Sequence, residues 1–398
     1  MRDNEQNGKI QRKKKLLVTA STFPRWEGDT EPRFVLDLSS HMTDEFDVTV
    51  LVPASPGAKD TEVMNGVKVI RYHYFPIHKW ETLCYPGAIV PRIKEKKVRI
   101  LLVPFLFISL YFKLWRILPE YDIVHAHWLI PQGIVQSFFK KPYIVTGHGG
   151  DVSSLNKGII KKLKMRCLEK ATYAVVVSKQ KLKEIENIYL REYKVISMGV
   201  DLQKFSREKN YIPDYFKQNG KKVVLYVGRL VEIKGIKYLI EAIEGLDVKL
   251  IIVGNGPLKK ELLKCANEQN SDIEFLGNRN HDELCEIYAS SDMLVVPSIV
   301  DSDGAQEGLP TVILEGMASG LPVIATNTGG ISDIVNDGVN GFLVPEKDSL
   351  AIREKIKEII NDGELSCKLA DHAIEDSQNF DYQVKAEQYK GLYRTMRM

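Results

Sequence analysis

Lys222-Val223-Val224-Leu225-Tyr226-Val227-Gly228-Arg229-Leu230, with Lys234-Gly235 close behind, decides how this chain is divided. A short, unbroken apolar run that stops at glycine reads as a strand buried on both faces, the kind found in parallel sheets. It is also a restart. Downstream, residues 237–243 lie in a helical pattern, 249–253, 273–276 and 293–296 read as strands, 311–318 as a helix and 322–325 as a strand. Upstream the same alternation has already run once. Residues 15–20, 47–52, 67–72, 122–126, 143–146 and 173–177 read as strands, and 33–42 has helical spacing with Phe34, Leu38 and Met42 on one face. Strands alternating with helices imply βαβ units and parallel sheets. Two α/β halves therefore stand in series, joined through a polar and aromatic stretch at 199–220.

The length, 398 residues, suits two domains of about 200 each. Lys plus Arg number 55 and Asp plus Glu 52, a net charge of +3, which argues against a dedicated nucleic-acid binder. The positive charge is clustered: Lys9, Arg12, Lys13, Lys14 and Lys15; then Arg92, Lys94, Lys96, Lys97 and Arg99; then Lys161, Lys162, Lys164 and Arg166. Each cluster is either solvated surface or a patch drawn to an anionic membrane. Five cysteines with no CxxC spacing read as reduced cytosolic thiols, neither a disulfide framework nor a zinc site. The apolar stretch at 16–20 is expected to be a first strand and not a signal peptide. Residues 98–115, VRILLVPFLFISLYFKLW, are apolar on nearly every side. They read as a crossover helix feeding the strand at 122, as a helix dipping into a membrane interface, or as both.

Four motifs carry chemistry. In Glu307-Gly308-Leu309-Pro310-Thr311-Val312-Ile313-Leu314-Glu315, Pro310 disfavours helix before it and suits the first helical position. Glu307 is then a loop residue and Glu315 sits about a turn into a helix, whose free N–H groups suit a diphosphate. Arg229 and Lys234 follow a strand end, where open α/β sheets bind ligands, and are placed to neutralise phosphate. Thr146-Gly147-His148-Gly149-Gly150-Asp151 leaves His148 unshielded at another strand end, without the GxGxxG of a dinucleotide fingerprint. Gly254-Asn255-Gly256-Pro257 and Thr328-Gly329-Gly330 read as packing turns at the same edge. Asp301-Ser302-Asp303 has the spelling of a metal motif but reads as loop polarity, so no metal site is expected.

In this order and spacing the motifs resemble glycosyltransferase family 4, retaining enzymes of GT-B fold. The matching pieces are HAHW at 125–128, GHGGD at 147–151, MGVDLQKF at 198–205, VGRLVEIKG at 227–235 and VGNGP at 253–257. FLG at 275–277, EGLPTVILE at 307–315, TGG at 328–330 and DGVNGFLVP at 337–345 complete the series. The resemblance implies two Rossmann-like domains facing a central cleft. Residues 1–200 would form the acceptor-side domain, joined by a C-terminal helix at 380–398, and 201–379 the nucleotide-sugar domain. It further implies that Arg229 and Lys234 contact the diphosphate, Glu315 the ribose and Glu307 the transferred sugar. Gly308, Leu309, Pro310 and Thr311 would line sugar and phosphate. His148 would flank the sugar, and Asp151 would help place the acceptor. One stretch departs from the family: the loop after the first strand, residues 22–32, has a single glycine and much more bulk than the usual glycine pair.

The expectation is a metal-independent, retaining hexosyltransferase with no cofactor. It would take a UDP- or GDP-linked sugar to a lipid-linked or polysaccharide acceptor in cell-surface glycan synthesis. Its place would be the cytoplasm, in peripheral contact with an anionic membrane at the inner face, with no nucleic-acid partner. The competing readings are a two-domain phosphorylase, a sugar-nucleotide epimerase, or a non-catalytic sugar-binding protein. An NAD-dependent oxidoreductase lacks its fingerprint.

Overall fold

A computed structural model describes residues 12–216, 219–269, 271–300 and 306–396. Its first sheet contains β1 (Lys14–Thr19), β2 (Phe46–Pro53), β3 (Thr61–Met64), β4 (Val67–Tyr72), β5 (Ile123–His127), β6 (Tyr143–Gly147), β7 (Tyr173–Val176) and β8 (Lys194–Val195). They lie in the order β3-β4-β2-β1-β5-β6-β7-β8, parallel throughout except for the β3/β4 edge hairpin. The second sheet contains β9 (Lys222–Val227), β10 (Val248–Val253), β11 (Asp272–Gly277), β12 (Met293–Val296), β13 (Val323–Thr326) and β14 (Gly341–Val344). Its order, β11-β10-β9-β12-β13-β14, is the doubly wound order of nucleotide-binding sheets. The first sheet follows the same order, β4-β2-β1-β5-β6-β7, once its antiparallel edge strand β3 and the two-residue β8 are set aside. In each, the chain reverses direction across the sheet beside the first strand, between β1 and β5 and between β9 and β12. A crevice opens there at the carboxyl ends.

The apolar runs are long because both faces of each sheet are covered. Along β9, Val223, Leu225 and Val227 join one core, while Val224 and Tyr226 join the other. Along β1, Leu17 faces one core and Leu16 and Val18 the other. This is the two-residue period of a strand expressed on two buried faces.

Two chain crossings tie the halves together. Val200 N–H donates to the Phe380 carbonyl at 2.9 Å, and Tyr382 N–H to the Val200 carbonyl at 3.1 Å, so the crossings are bonded to each other. The second leads into the helix Tyr382–Thr395, whose Asp381 cap accepts the Gln383 N–H. Its Tyr382, Ala386, Tyr389 and Tyr393, at helical spacing, are buried in the core of the first domain.

The apolar stretch at 98–115 is a crossover that feeds β5, in two pieces. Residues Lys97–Leu102 form a 3-10 turn and Val103–Ile117 an α-helix. Pro104 sits in the first turn of that helix, where its missing N–H costs nothing. Leu106, Leu110, Leu114 and Ile117 pack on the sheet. Asp301-Ser302-Asp303 and Lys9 lie outside the described residues.

Candidate active site

The carboxyl end of β9 turns sharply into the short 3-10 turn Glu232–Lys234. That turn brings the Lys234 ammonium 2.9 Å from a Glu307 carboxylate oxygen, with both side chains 16% exposed. Glu307 lies in a loop. The helix behind it, Thr311–Ala318, starts one residue later than the sequence suggested: Pro310, with ψ of 113°, is its extended N-cap. No side chain caps this end, so first-turn N–H groups remain for a ligand. Glu315 projects from the second turn. The Tyr288 hydroxyl donates to it at 2.8 Å, and the Thr311 hydroxyl also bonds it. Burial pushes the Glu315 carboxyl up to about 7, against the lowering pull of those two hydroxyls.

The loop carrying Glu307 is pressed against the other domain. A Cβ on Gly308 would lie 2.2 Å from the His148 carbonyl oxygen, so only glycine fits. From behind, Gly330 N–H donates to the Gly308 carbonyl at 3.0 Å. Thr328-Gly329-Gly330 is therefore a buttress for the Glu307 loop. Gln306 donates to Glu184 of the first domain at 3.0 Å, and Lys179 N–H to Asp333 at 2.6 Å. The cleft is closed along this side. Leu309 is buried in the second domain's core and sets the loop's depth. The Gly254 turn packs on the β9 loop, where a Cβ would strike the Gly228 carbonyl oxygen at 1.9 Å.

Arg229 stands apart from Lys234. It is exposed and faces the first domain, its guanidinium carbon 3.9 Å from where a Cβ on Gly87 would sit. Gly87 N–H in turn donates to both oxygens of Glu31, at 3.1 and 3.2 Å. Glu31 belongs to the bulky loop after β1. Burial raises its carboxyl, while Gly87 N–H and nearby Arg25 and Arg229 oppose the rise. The rest of that loop is braced on itself. Arg25 chelates Asp29 at 3.0 and 2.9 Å and is sandwiched between Trp26 and Tyr85, 3.9 and 4.1 Å from the ring centroids.

His148 closes the cleft from the first domain. Its ring stacks on His127 at 5.2 Å and lies against Phe34 and Trp128. Nε2 is 2.9 Å from His127 Nδ1, while Nδ1 is buried with no partner. Burial pulls the imidazole down to about 4, so it is neutral near pH 7. Beneath it, His125 bonds Thr146 at 2.8 Å and Tyr393 at 2.7 Å, which ties the site to the C-terminal helix.

Asp151 is placed differently from the acceptor-facing position expected of it. Its two oxygens accept the N–H groups of Leu129, His148 and Gly149, at 2.8, 3.1 and 2.9 Å. It braces the loop that presents His148. Among the described residues no group of three or more His, Cys, Asp or Glu is placed to hold a metal.

The structure thus gathers Lys234, Glu307, Gly308, Thr311, Glu315 and His148 around one cleft, with Arg229 at its edge. Sequence reasoning missed Tyr288, Glu31 and the Gln306–Glu184 bridge. Tyr288 lies on a different helix, 27 positions from its partner Glu315, and only the fold pairs them.

Two doubly wound domains, closed over such a cleft with a phosphate-ready helix end, define a GT-B glycosyltransferase frame. Residues 32–204 match the model of glycosyltransferase family 4, and 207–377 that of glycosyl transferases group 1. An uncharacterized glycosyltransferase of Methanocaldococcus jannaschii is 32% identical over 66% of this chain and 72% of its own length. The putative teichuronic acid biosynthesis glycosyltransferase TuaC of Bacillus subtilis is 29% identical, over 69% of this chain and 71% of its own. Among solved structures, sucrose-phosphate synthase from Thermosynechococcus elongatus superposes with a TM-score of 0.76 at 22% identity, covering 96% of this chain and 98% of that one. Anabaena HepE in complex with UDP gives 0.74 at 21% identity, covering 96% and 100%. The chain belongs to glycosyltransferase family 4.

Proposed function

We propose that this enzyme is a retaining hexosyltransferase. It takes a hexose-type sugar from a UDP- or GDP-linked donor and gives it to a lipid-linked or polysaccharide acceptor in cell-surface glycan synthesis, at the cytoplasmic face of the membrane. The observation that carries the reading is the Lys234–Glu307 pair beside an uncapped helix end, with Glu315 behind it. Its similarity to TuaC supports a glycan acceptor, and the UDP held by HepE supports a nucleotide donor.

Lys234 and Glu307 neutralise each other across the cleft floor. An arriving diphosphate competes for Lys234, and Glu307 is released to accept hydrogen bonds from sugar hydroxyls. Glu315 takes the ribose diol. The bond between the sugar's anomeric carbon and the diphosphate oxygen then breaks. The acceptor oxygen bonds to the anomeric carbon on the face just vacated, and its proton passes to the departing phosphate. Arg229, Lys234 and the helix end stabilise the growing negative charge, the largest single demand of such a step, without a metal or cofactor. His148, neutral, bounds the sugar's side of the cleft from the opposite wall.

The test is a panel of UDP- and GDP-sugars assayed for release of nucleoside diphosphate in the presence of glycan acceptors, followed by NMR of the product anomer. Acceptor-dependent release with the donor's anomeric configuration kept is the expected result. An inverted product would sink the same-face mechanism.

A further inference from the structure

A helix packed on a sheet normally turns a polar face to water. The crossover helix Val103–Ile117 does not. Its inner face, Leu106, Leu110, Leu114 and Ile117, is core. Its outer face repeats the pattern: Phe105 is 43% exposed, Ile108 54%, Phe112 60% and Trp115 66%, and Leu101 in the preceding turn 66%. The apolar surface continues sideways. Phe105 packs on Phe75 at 4.8 Å, which stacks on the half-exposed Trp80. Tyr111 stacks on Phe139 at 5.0 Å, beside Phe138, whose ring lies under Arg166. A contiguous aromatic tract of this size marks an interaction surface.

Charge identifies the partner. From Lys96 to Pro119 the chain has five basic residues, Lys96, Lys97, Arg99, Lys113 and Arg116, and no acid; Arg99 is buried and paired with Glu95 at 3.0 Å, which leaves four for a partner. Beyond Glu120 and Asp122, the stretch from Ile123 to Gly150 adds Lys140 and Lys141 with no further acid. A whole-chain net charge of +3 means that the acids are concentrated elsewhere. A second protein surface would need a matching apolar face. An anionic bilayer supplies apolar depth and negative headgroups at once.

We propose that this face docks on an anionic lipid bilayer, with the helix lying in the interface plane. The stripe from Leu101 to Trp115 enters the headgroup boundary, and Lys96, Lys97, Lys113 and Arg116 hold the anionic heads around it. The stretch Lys97–Glu120 is long and apolar enough by composition to cross a membrane. Spanning is excluded by the fold. The α-helical part has 15 residues, about 22 Å, short of the roughly 30 Å hydrocarbon core, and its inner face is built into the sheet. The docking also places the cleft. Seven residues after Trp80 the chain reaches Gly87, against Arg229, so a lipid-borne acceptor leaving the bilayer is delivered to the donor's edge. That last step rests on the transferase reading; the docking does not.

The experiment is flotation of the full chain with vesicles of phosphatidylglycerol and phosphatidylcholine, at low and high salt, alongside Phe112→Glu/Trp115→Glu and Lys96→Glu/Lys97→Glu variants. Wild type should float with anionic vesicles at low salt, with a blue shift of Trp115 fluorescence. The apolar double variant should bind at least tenfold less, and the charge double variant less with a shallower salt dependence. No flotation of wild type, or equal flotation of the apolar variant, overturns the proposal. So does a wild-type dimer in sedimentation velocity that the apolar variant turns into a monomer, because the face would then be a protein interface. Binding of a nucleotide-sugar, measured on the same variants, should stay within twofold. A chain that floats but takes no nucleotide-sugar keeps the docking and removes the transferase reading.

Discussion

The loops that follow β1 and β9 occupy the same position in the same sheet order, yet they are built from opposite materials. After β9 the chain is tight and glycine-backed, and it delivers one cation, Lys234, to the cleft floor and another, Arg229, to its edge. After β1 the loop is long and filled by its own side chains, with Arg25 already spent on Asp29 and two aromatic rings. A crevice at a sheet's carboxyl end is a site only in potential. Free backbone, an exposed arginine and a lysine held by the Glu307 carboxylate make it an anion site. A self-satisfied loop turns it into a wall that shapes whatever enters. The two halves are therefore not two copies of one nucleotide site, and the differences between them can be tested one residue at a time.

The sharpest break comes where the halves touch. Gly308→Ala would put a methyl group 2.2 Å from the His148 carbonyl oxygen, so the Glu307 loop and the His148 loop cannot both stay in place. Transfer should fall by roughly a thousandfold, since a misplacement of about 1 Å costs two orders of magnitude or more. Thermal stabilisation by nucleoside diphosphate alone, which needs only the second domain, should persist. Loss of both together would mean that the two halves share the nucleotide.

Lys234→Ala sharpens the contrast of the loops themselves. If the β9 loop carries the charge, removing Lys234 should cost about a hundredfold in kcat/KM, comparable with losing one stabilising donor at a developing negative charge. Arg25→Ala, the cation at the matching place after β1, should leave donor KM within threefold. Equal effects in a steady-state assay would erase the distinction.

That distinction was half legible in the sequence. The β9 loop announced itself, because an apolar run, a glycine and two cations are local signals. The parallel sheets were legible too, since long apolar runs mark strands buried on both faces, while the order of the strands was not. Short edge strands were not. β3 is half polar, β8 has two residues, and β14 follows a loop rich in glycine and asparagine. Asp151 was assigned to the acceptor only by the family resemblance. Only the folded loop shows three backbone N–H groups converging on it. Likewise nothing in the letters says that Arg25 is consumed by its neighbours.

Glu315 gives a smaller, titratable effect on the β9 side. With its carboxyl raised by burial to about 7, it is protonated below that pH and ionised above it. A ribose diol needs the ionised form, so binding below pH 7 must first expel a proton. Donor Kd should rise as pH falls from 7, approaching tenfold per unit. A nucleoside diphosphate-sugar is the right probe, because its diphosphate does not titrate in this range. His148, at about 4, stays silent in the same window. Isothermal titration between pH 5.5 and 8 should show the slope in wild type and a flat line in Glu315→Gln. A slope that survives in the variant assigns the proton elsewhere.

The least effect is expected on the β1 side, from Asp29→Asn. Asp29 is buried, and its carboxylate takes the Arg25 guanidinium together with the N–H groups of Arg25 and Thr30. Burial raises its carboxyl, but the bonds from Arg25 win and hold it below the usual range. A neutral amide keeps the shape and loses the charge-assisted bonds, worth about 1.5–3 kcal/mol in such settings. If the loop is a self-contained wall, that loss stays local. Hydrogen exchange should quicken at residues 25–30 and nowhere around Lys234 or Glu315, with donor affinity unchanged. Exchange that spreads to the β9 loop would show that the two loops, joined at Glu31, Gly87 and Arg229, move as one.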